Sequence, residues 1–229
     1  VCFYFQIHQP FRLRRYSVFR SDPFYFDSDS NQAIMEKVAD KCYRPATTLM
    51  LDLIKRHEGR FKISFSISGT AIEQMKSWAP DVIDLLQQCA ATGCADFLAE
   101  TSHHSLTALY APAEFAAQVD SHVSLMRDLF DIEPVVFRNT ELIYSDRISE
   151  LVAGTERFKG MLAEGVDRLL GDRSPAYPYV PAGSGDYLPS SPLRLLLKNY
   201  RLSDDIAFRF SDRNWAEWPL DAARFAKWV

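Results

Sequence analysis

KISFSISGTAIEQMKSWAPDVIDLLQQCAATGCADFLAE, residues 62–100, reads as one strand–helix–strand unit. Lys62 to Ser68 alternates Ile63, Phe65 and Ile67 on one face, the period of a half-buried strand. Thr70 to Ala91 is helical in pattern and breaks or kinks near Pro80, because a proline ring does not fit a helix interior. Ala95 to Glu100 is again a short apolar strand. Alternation of this kind implies parallel strands, which need a long crossover to connect them.

The same alternation continues outward. Cys2 to His8 reads as a buried strand, and Gln32 to Arg56 as a helical region carrying Ile34, Val38, Leu49, Leu53 and Ile54 with a break near Pro45. Pro112 opens a helix that runs to Asp131, a position where its missing N–H costs nothing. Pro134 to Arg138 is a fourth strand, Ile143 to Val152 a short helix, and Phe158 to Glu164 and Leu195 to Leu202 two further strands. His8, Ser68, Glu100, Asn139 to Glu141, Glu164 and Asp204-Asp205 each fall at or just past a strand's C-terminal end. A barrel gathers all its strand ends on one face, whereas an open sheet gathers only those beside its switch point. The expectation is therefore an α/β fold, an incomplete TIM-like barrel of parallel strands. Neither GxGxxG nor GxxxxGK[ST] is present to suggest a nucleotide fold. Pro175 to Pro192 reads as a long loop whose Tyr177, Tyr179 and Tyr187 are candidates to line a cleft, though packing is the commoner role. Residues 1–229 are read as a single domain. Val1 opens directly on a strand pattern and Phe225 to Val229 lies inside an uncapped helical one, so the sequence is read as part of a longer protein.

Composition narrows the function classes. The 229 residues are 47% hydrophobic and 24% charged, with 26 Lys and Arg against 30 Asp and Glu and a net charge of −4. Such a surface is a poor partner for phosphate backbones, and no run approaches the ~20 apolar residues of a membrane span, so neither nucleic acid nor membrane is expected. Cys2, Cys42, Cys89 and Cys94 lack the paired spacing of a zinc site and read as buried thiols of a reduced, cytoplasmic protein. Aromatics are abundant: 16 Phe, 10 Tyr and 4 Trp. Phe3, Phe5, Phe65 and Phe137 are expected in the core, while Tyr110, Tyr144, Trp215 and Trp218 follow strand-end motifs.

Carboxylates carry the chemistry. Glu141 follows Phe137-Arg138-Asn139-Thr140, and Asp204-Asp205 follow the last apolar run. Burial raises one carboxyl's pKa while a neighbouring Arg lowers another's, which is the division between general acid and nucleophile that glycoside hydrolysis needs. Helix capping or a turn is the usual role of one such acid alone. His8-Gln9-Pro10 follows strand one, and Glu100-Thr101-Ser102-His103-His104 follows strand three. Neighbouring histidines in an extended segment point to opposite sides, so His103-His104 is a weak metal signal. His57 and His122 fall within helical patterns, where surface or packing roles are expected. There is no HExxH and no GxSxG, and no Cys sits near a strand's C-terminal end.

Taken in order, Phe3 to Pro10, Phe97 to Ser105, Arg138 to Leu142 and Leu202 to Phe210 resemble four motifs of glycoside hydrolase family 57, and among its members the bacterial α-amylase-like ones. The resemblance spans nearly the whole chain. It implies a (β/α)7 barrel, here truncated before the C-terminal helical region and the fifth motif, and a retaining mechanism with no cofactor and no obligatory metal. Glu141 would be the nucleophile and Asp205 the general acid/base, with Asp204 the other candidate, since Ala207 stands where many members have an acid. His8, Gln9, Glu100 and His104 would line the donor-sugar subsite, with Asp204 and Trp215 also contacting substrate. A retaining pair should lie roughly 5–5.5 Å apart. The expected substrate is α-1,4-glucan or maltooligosaccharide, met by hydrolysis or by glucan transfer. Other readings are a metal-dependent polysaccharide deacetylase-like hydrolase using His8, His104 and Asp204 or Asp205, and a glycan-binding protein with a degenerate site.

Overall fold

The computed structural model of the chain describes residues 1–19, 22–182 and 193–229. Two compact units emerge, one spanning Cys2–Val135 and the other Val136–Val229 together with Val1. Each is an α/β unit built on a three-stranded parallel sheet.

In the N-terminal unit the order is β1 (Tyr4–Ile7), α1 (Ser28–Val38), a π turn (Ala39–Tyr43), α2 (Arg44–Arg56), β2 (Ile63–Ile67), α3 (Gly69–Trp78), α4 (Pro80–Ala91), β3 (Ala95–Leu98) and α5 (Pro112–Phe130). Pro45, Pro80 and Pro112 all sit in the first turn of their helices: Pro112 opens its helix as expected, and the breaks expected near Pro45 and Pro80 are the starts of new ones. Ser68 caps α3 by accepting the Ala71 N–H at 3.3 Å. The sheet order is β1-β2-β3, with Ile7 paired to Ile67 and Ser66 to Leu98. Phe65 and Phe97 pack at 5.6 Å between ring centroids, and Phe97 stacks on Phe130 of α5 at 4.3 Å. Ile63, Phe65, Ile67, Met75, Leu86 and Met126 complete a closed apolar core.

Several expectations are corrected here. Among the described residues β1 is an edge strand, paired only to β2; Phe5 within it and Phe3 just before it are exposed (42% and 46%), and Ile7 alone of the strand is buried. Leu49 is exposed as well, because the π turn inserts an offset between α1 and α2 and hands the buried face to Thr47, Leu51 and Ile54. Cys2 and Cys42 are exposed thiols, Cys94 is half-buried and only Cys89 is buried. The aromatic surplus is thus not all core: Phe19, Phe24, Tyr25 and Phe26, in the segment between β1 and α1, are open to solvent.

The C-terminal unit runs β4 (Val136–Arg138), a short 3-10 turn (Thr140–Leu142), α6 (Asp146–Ala153), β5 (Gly160–Glu164), α7 (Asp167–Leu170), β6 (Arg194–Lys198), α8 (Tyr200–Asp204), a second π turn (Asp205–Arg209) and α9 (Ala222–Trp228). The sheet order is β4-β5-β6, all parallel. Phe137 is fully buried and packs on Phe158 at 5.4 Å. Strand six is shorter than expected. Asn199 accepts the Leu202 N–H at 3.2 Å and starts a helix, which places Asp204 and Asp205 at a helix end rather than in a turn directly after a strand. Tyr187 lies outside the described residues. Among the described residues the strands pair as these two sheets, and no helix is long and apolar enough to cross a membrane.

Candidate active site

Parallel register in the N-terminal unit brings three strand ends together. His8 follows β1, Ser68 follows β2 and Glu100 follows β3 by two residues. His8 Nδ1 lies 2.7 Å from Ser68 Oγ, whose hydroxyl is also 3.1 Å from Thr70 Oγ1. Glu100 is fully buried, and a buried carboxylate requires partners. Ser66 Oγ–H donates to its Oε1 at 2.7 Å, and His104 Nδ1 meets its Oε2 at 3.0 Å. With Nδ1–H donating to the carboxylate, His104 Nε2 accepts from Gln6 Nε2–H at 3.4 Å. The His104 ring stacks on His8 at 4.0 Å and 23°. His104 reaches this position through a left-handed backbone, φ 53°, and its side chain is 7% exposed while His103 points out.

A second layer holds these groups. His122 of α5 is fully buried, with Nε2–H donating to the Ile67 carbonyl at 2.8 Å and Nδ1 accepting the Glu100 N–H at 3.4 Å. Burial pushes the His122 pKa down against the pull of Glu100, in keeping with a neutral ring that donates on one side and accepts on the other. Gln9 is clamped: its Nε2–H donates to Tyr43 Oη at 3.3 Å, its Oε1 accepts from Arg12 at 3.1 Å and its carbonyl accepts from Gln74 at 2.7 Å. The loop from Glu100 to His104 abuts α3 so closely that a Cβ on Gly69 would stand 2.7 Å from the Ser102 oxygen.

In the C-terminal unit Glu141 follows β4 by three residues after a buried run, Arg138, Asn139 and Thr140. Glu141 itself is exposed, and its φ of 53° is left-handed. Asp205 opens the second π turn, only 9% exposed, and its Oδ1 accepts from Arg209 at 2.6 Å. Asp204 beside it is half-buried. Trp215 is half-buried against Trp228 at 6.1 Å. Of the other rings, Tyr110 and Trp218 are exposed, and Tyr144, whose hydroxyl donates to Asp146 at 2.8 Å, has its pKa pushed up to about 12 by burial.

Of the residues expected from the sequence, Glu100 and His104 are hydrogen-bonded to each other, His8 stacks on His104 while bonded to Ser68, and Gln9 is turned into a scaffold of its own. The sequence reading placed Ser68 at a strand end without a partner, missed Ser66, Tyr43 and Gln74, and gave His122 a bland role. One signal was readable: Ser64, Ser66 and Ser68 put small hydroxyls at period two on one face of the strand and its end, opposite Ile63, Phe65 and Ile67, which suits a polar partner on that face. Among the described residues no three His, Cys, Asp or Glu side chains are placed to hold a metal ion.

Comparisons with known proteins bear on this arrangement. A sequence model of the family described as glycosyl hydrolase family 57 matches residues 2–229. A protein of Methanocaldococcus jannaschii that carries the provisional name alpha-amylase is 39% identical over 235 residues, covering all of this chain and 48% of its own length. The chain therefore spans about half the length of the curated relative it matches. The 4-alpha-glucanotransferase from Thermococcus litoralis superposes with a TM-score of 0.69 at 16% identity, over 91% of this chain and 29% of that one. The exo-type maltose-forming amylase from Pyrococcus sp. ST04 gives 0.64 at 14% identity, over 99% and 40%. At such identities the two structures establish a shared fold.

Proposed function

The chain belongs to glycosyl hydrolase family 57, and we propose that it carries the catalytic groups of a retaining enzyme acting on α-1,4-glucan. The observation that carries this reading is the position of Glu141: an exposed acid on a strained turn three residues past a strand, within a segment that matches the family. In this reading Glu141 attacks the anomeric carbon and forms a glycosyl ester. Asp205 protonates the departing glycosidic oxygen, then as a carboxylate takes the proton of the incoming water or sugar hydroxyl. Arg209, donating to Asp205 Oδ1, fixes the direction of that carboxyl group. The imidazoles of His8 and His104, oriented by Ser68 and Glu100, supply hydrogen-bonding groups suited to sugar hydroxyls, and Gln9 supports the turn that carries His8. Asp204 and Trp215 complete the proposed substrate contacts. The incomplete (β/α)7 barrel, with residues 1–229 as one catalytic domain in a cytoplasmic enzyme, belongs to the same proposal.

Hydrolysis and transfer share the glycosyl ester and differ only in what resolves it. Relatives of both kinds share the fold, one a glucanotransferase and one a maltose-forming amylase. The test uses full-length protein and maltoheptaose. Glu141→Gln should lower turnover by on the order of 10³-fold or more with the fold retained, and undiminished turnover would overturn the assignment. Products shorter than the substrate alone mean hydrolysis, and a ladder that includes longer ones means transfer.

A further inference from the structure

The turn that carries Glu141 is built at a cost to stability. Glu141 and Leu142 have φ of 53° and 56°, the only adjacent pair of left-handed non-glycine residues among those described. Leu142 is buried and has no polar side chain to compensate its backbone. Around them the turn is closed by the Leu142 N–H donating to the Asn139 carbonyl at 3.0 Å and the Ile143 N–H donating to the Thr140 carbonyl at 3.1 Å. Asn139 spans it from outside: its Nδ2–H donates to the Ile143 carbonyl at 2.9 Å, joining the residue before the turn to the residue after it. The residue is 2% exposed, and among the described residues its Oδ1 accepts no hydrogen bond. A buried amide that satisfies only one end is a poor choice for stability alone, since an apolar side chain of the same shape would avoid the loss. Strain and an unsatisfied acceptor thus coincide on the five residues that present one carboxylate.

We propose that Asn139 is the positioning residue for Glu141: its amide clamp on Ile143 holds the left-handed turn and so aims the carboxylate. Released from the clamp, Glu141 relaxes to a negative φ, which swings its Cα–Cβ bond away from the direction the turn imposes. The inference rests on Glu141 being the nucleophile.

The test follows the covalent step directly in full-length enzyme, using an α-configured 5-fluoroglucosyl fluoride as probe. The Glu141 carboxylate displaces fluoride from the anomeric carbon, forming an ester that mass spectrometry locates on the Glu141 peptide. Asn139→Leu and Asn139→Asp both remove the donor to Ile143. Each should label at least tenfold more slowly than wild type and lose a similar factor in kcat on maltoheptaose, with KM held within about twofold. The Leu variant should melt no lower than wild type, which a merely structural role would not allow; if it fails to fold, the Asp variant decides by its labelling rate. Wild-type labelling at Glu141 with unchanged rates in the variants overturns the positioning role and leaves the nucleophile in place. Labelling at a different carboxylate overturns both.

Discussion

Gly69→Ala tests the packing that binds α3 to the loop after β3. The added Cβ would meet the Ser102 oxygen at 2.7 Å and its carbonyl carbon and Cα at 3.3 Å, against an ordinary contact limit of 3.4 Å. The oxygen must therefore retreat by about 0.7 Å. Gly69 is not in the left-handed region, so space and not backbone conformation is the obstacle. The atoms in the way are backbone, and they are held. The Thr70 N–H donates to the Ser102 oxygen at 3.2 Å, Ser102 Oγ–H donates to the Gln118 carbonyl at 2.8 Å, and the His104 N–H donates to Thr101 at 3.0 Å. Overpacking against such a segment costs about 1–3 kcal/mol. At roughly 2–4 °C per kcal/mol for a chain of this size, Tm should fall by about 2–12 °C. The retreat also carries His104 relative to Glu100, now 3.0 Å apart, so KM for maltoheptaose should rise. Gly93→Ala is the control. Its φ is 66° and nothing lies within 4 Å of the new Cβ, so it should cost about 1 kcal/mol through backbone strain and leave kcat/KM unaltered. Thermal unfolding and steady-state kinetics of the full-length variants decide the matter. A Gly69→Ala protein with wild-type Tm and KM would refute the argument.

Two further predictions follow from buried titratable groups. His122 is held neutral in the fold, whereas an unfolded imidazole takes its proton near pH 6.5. Its stabilising contribution is thus fully present above that pH and is lost as pH falls toward the lowered folded value, at up to about 1.4 kcal/mol per pH unit. Denaturant titrations between pH 7.5 and 5 should show this slope reduced in His122→Gln, whose amide can donate to Ile67 and accept from Glu100 but cannot charge; identical slopes would count against a neutral His122. Burial pushes the Cys89 thiol up to about 11, so a thiolate-directed reagent at pH 8 should leave it unmodified until denaturant is added. Exposed Cys42 should react in the native protein, and rapid native labelling at Cys89 would contradict the packing around it.

Much of this protein's organisation follows from local chemistry. Alternation of Ile63, Phe65 and Ile67, the breaks near Pro45 and Pro80, and the helix start at Pro112 are short-range patterns that survive into the fold. The strand ends that carry His8, Glu100 and Glu141 were legible for the same reason, because a strand boundary is written in a few consecutive residues. Long-range effects were not. Phe5 alternates as any core residue would, and only the edge position of β1 leaves it in solvent. Leu49 fits its helical period until the π turn at Ala39–Tyr43 shifts the register of the buried face. Asn199 falls inside the expected strand Leu195 to Leu202, and its cap on the Leu202 N–H ends that strand early.

By itself, then, the sequence determined the kinds of element, their order, the parallel character of the strands and the acids and imidazoles available at their ends. Tertiary structure alone decided what those groups touch. Ser66 meets Glu100 across 34 residues, His8 meets Ser68 across 60 and His122 reaches Ile67 across 55. No periodicity encodes such pairs, because they arise from strand register and helix docking and not from neighbouring residues. The left-handed turn at Glu141 belongs to the same class. No glycine marks it, and it persists because the Asn139 clamp and the burial of Leu142 outweigh the local preference of the backbone.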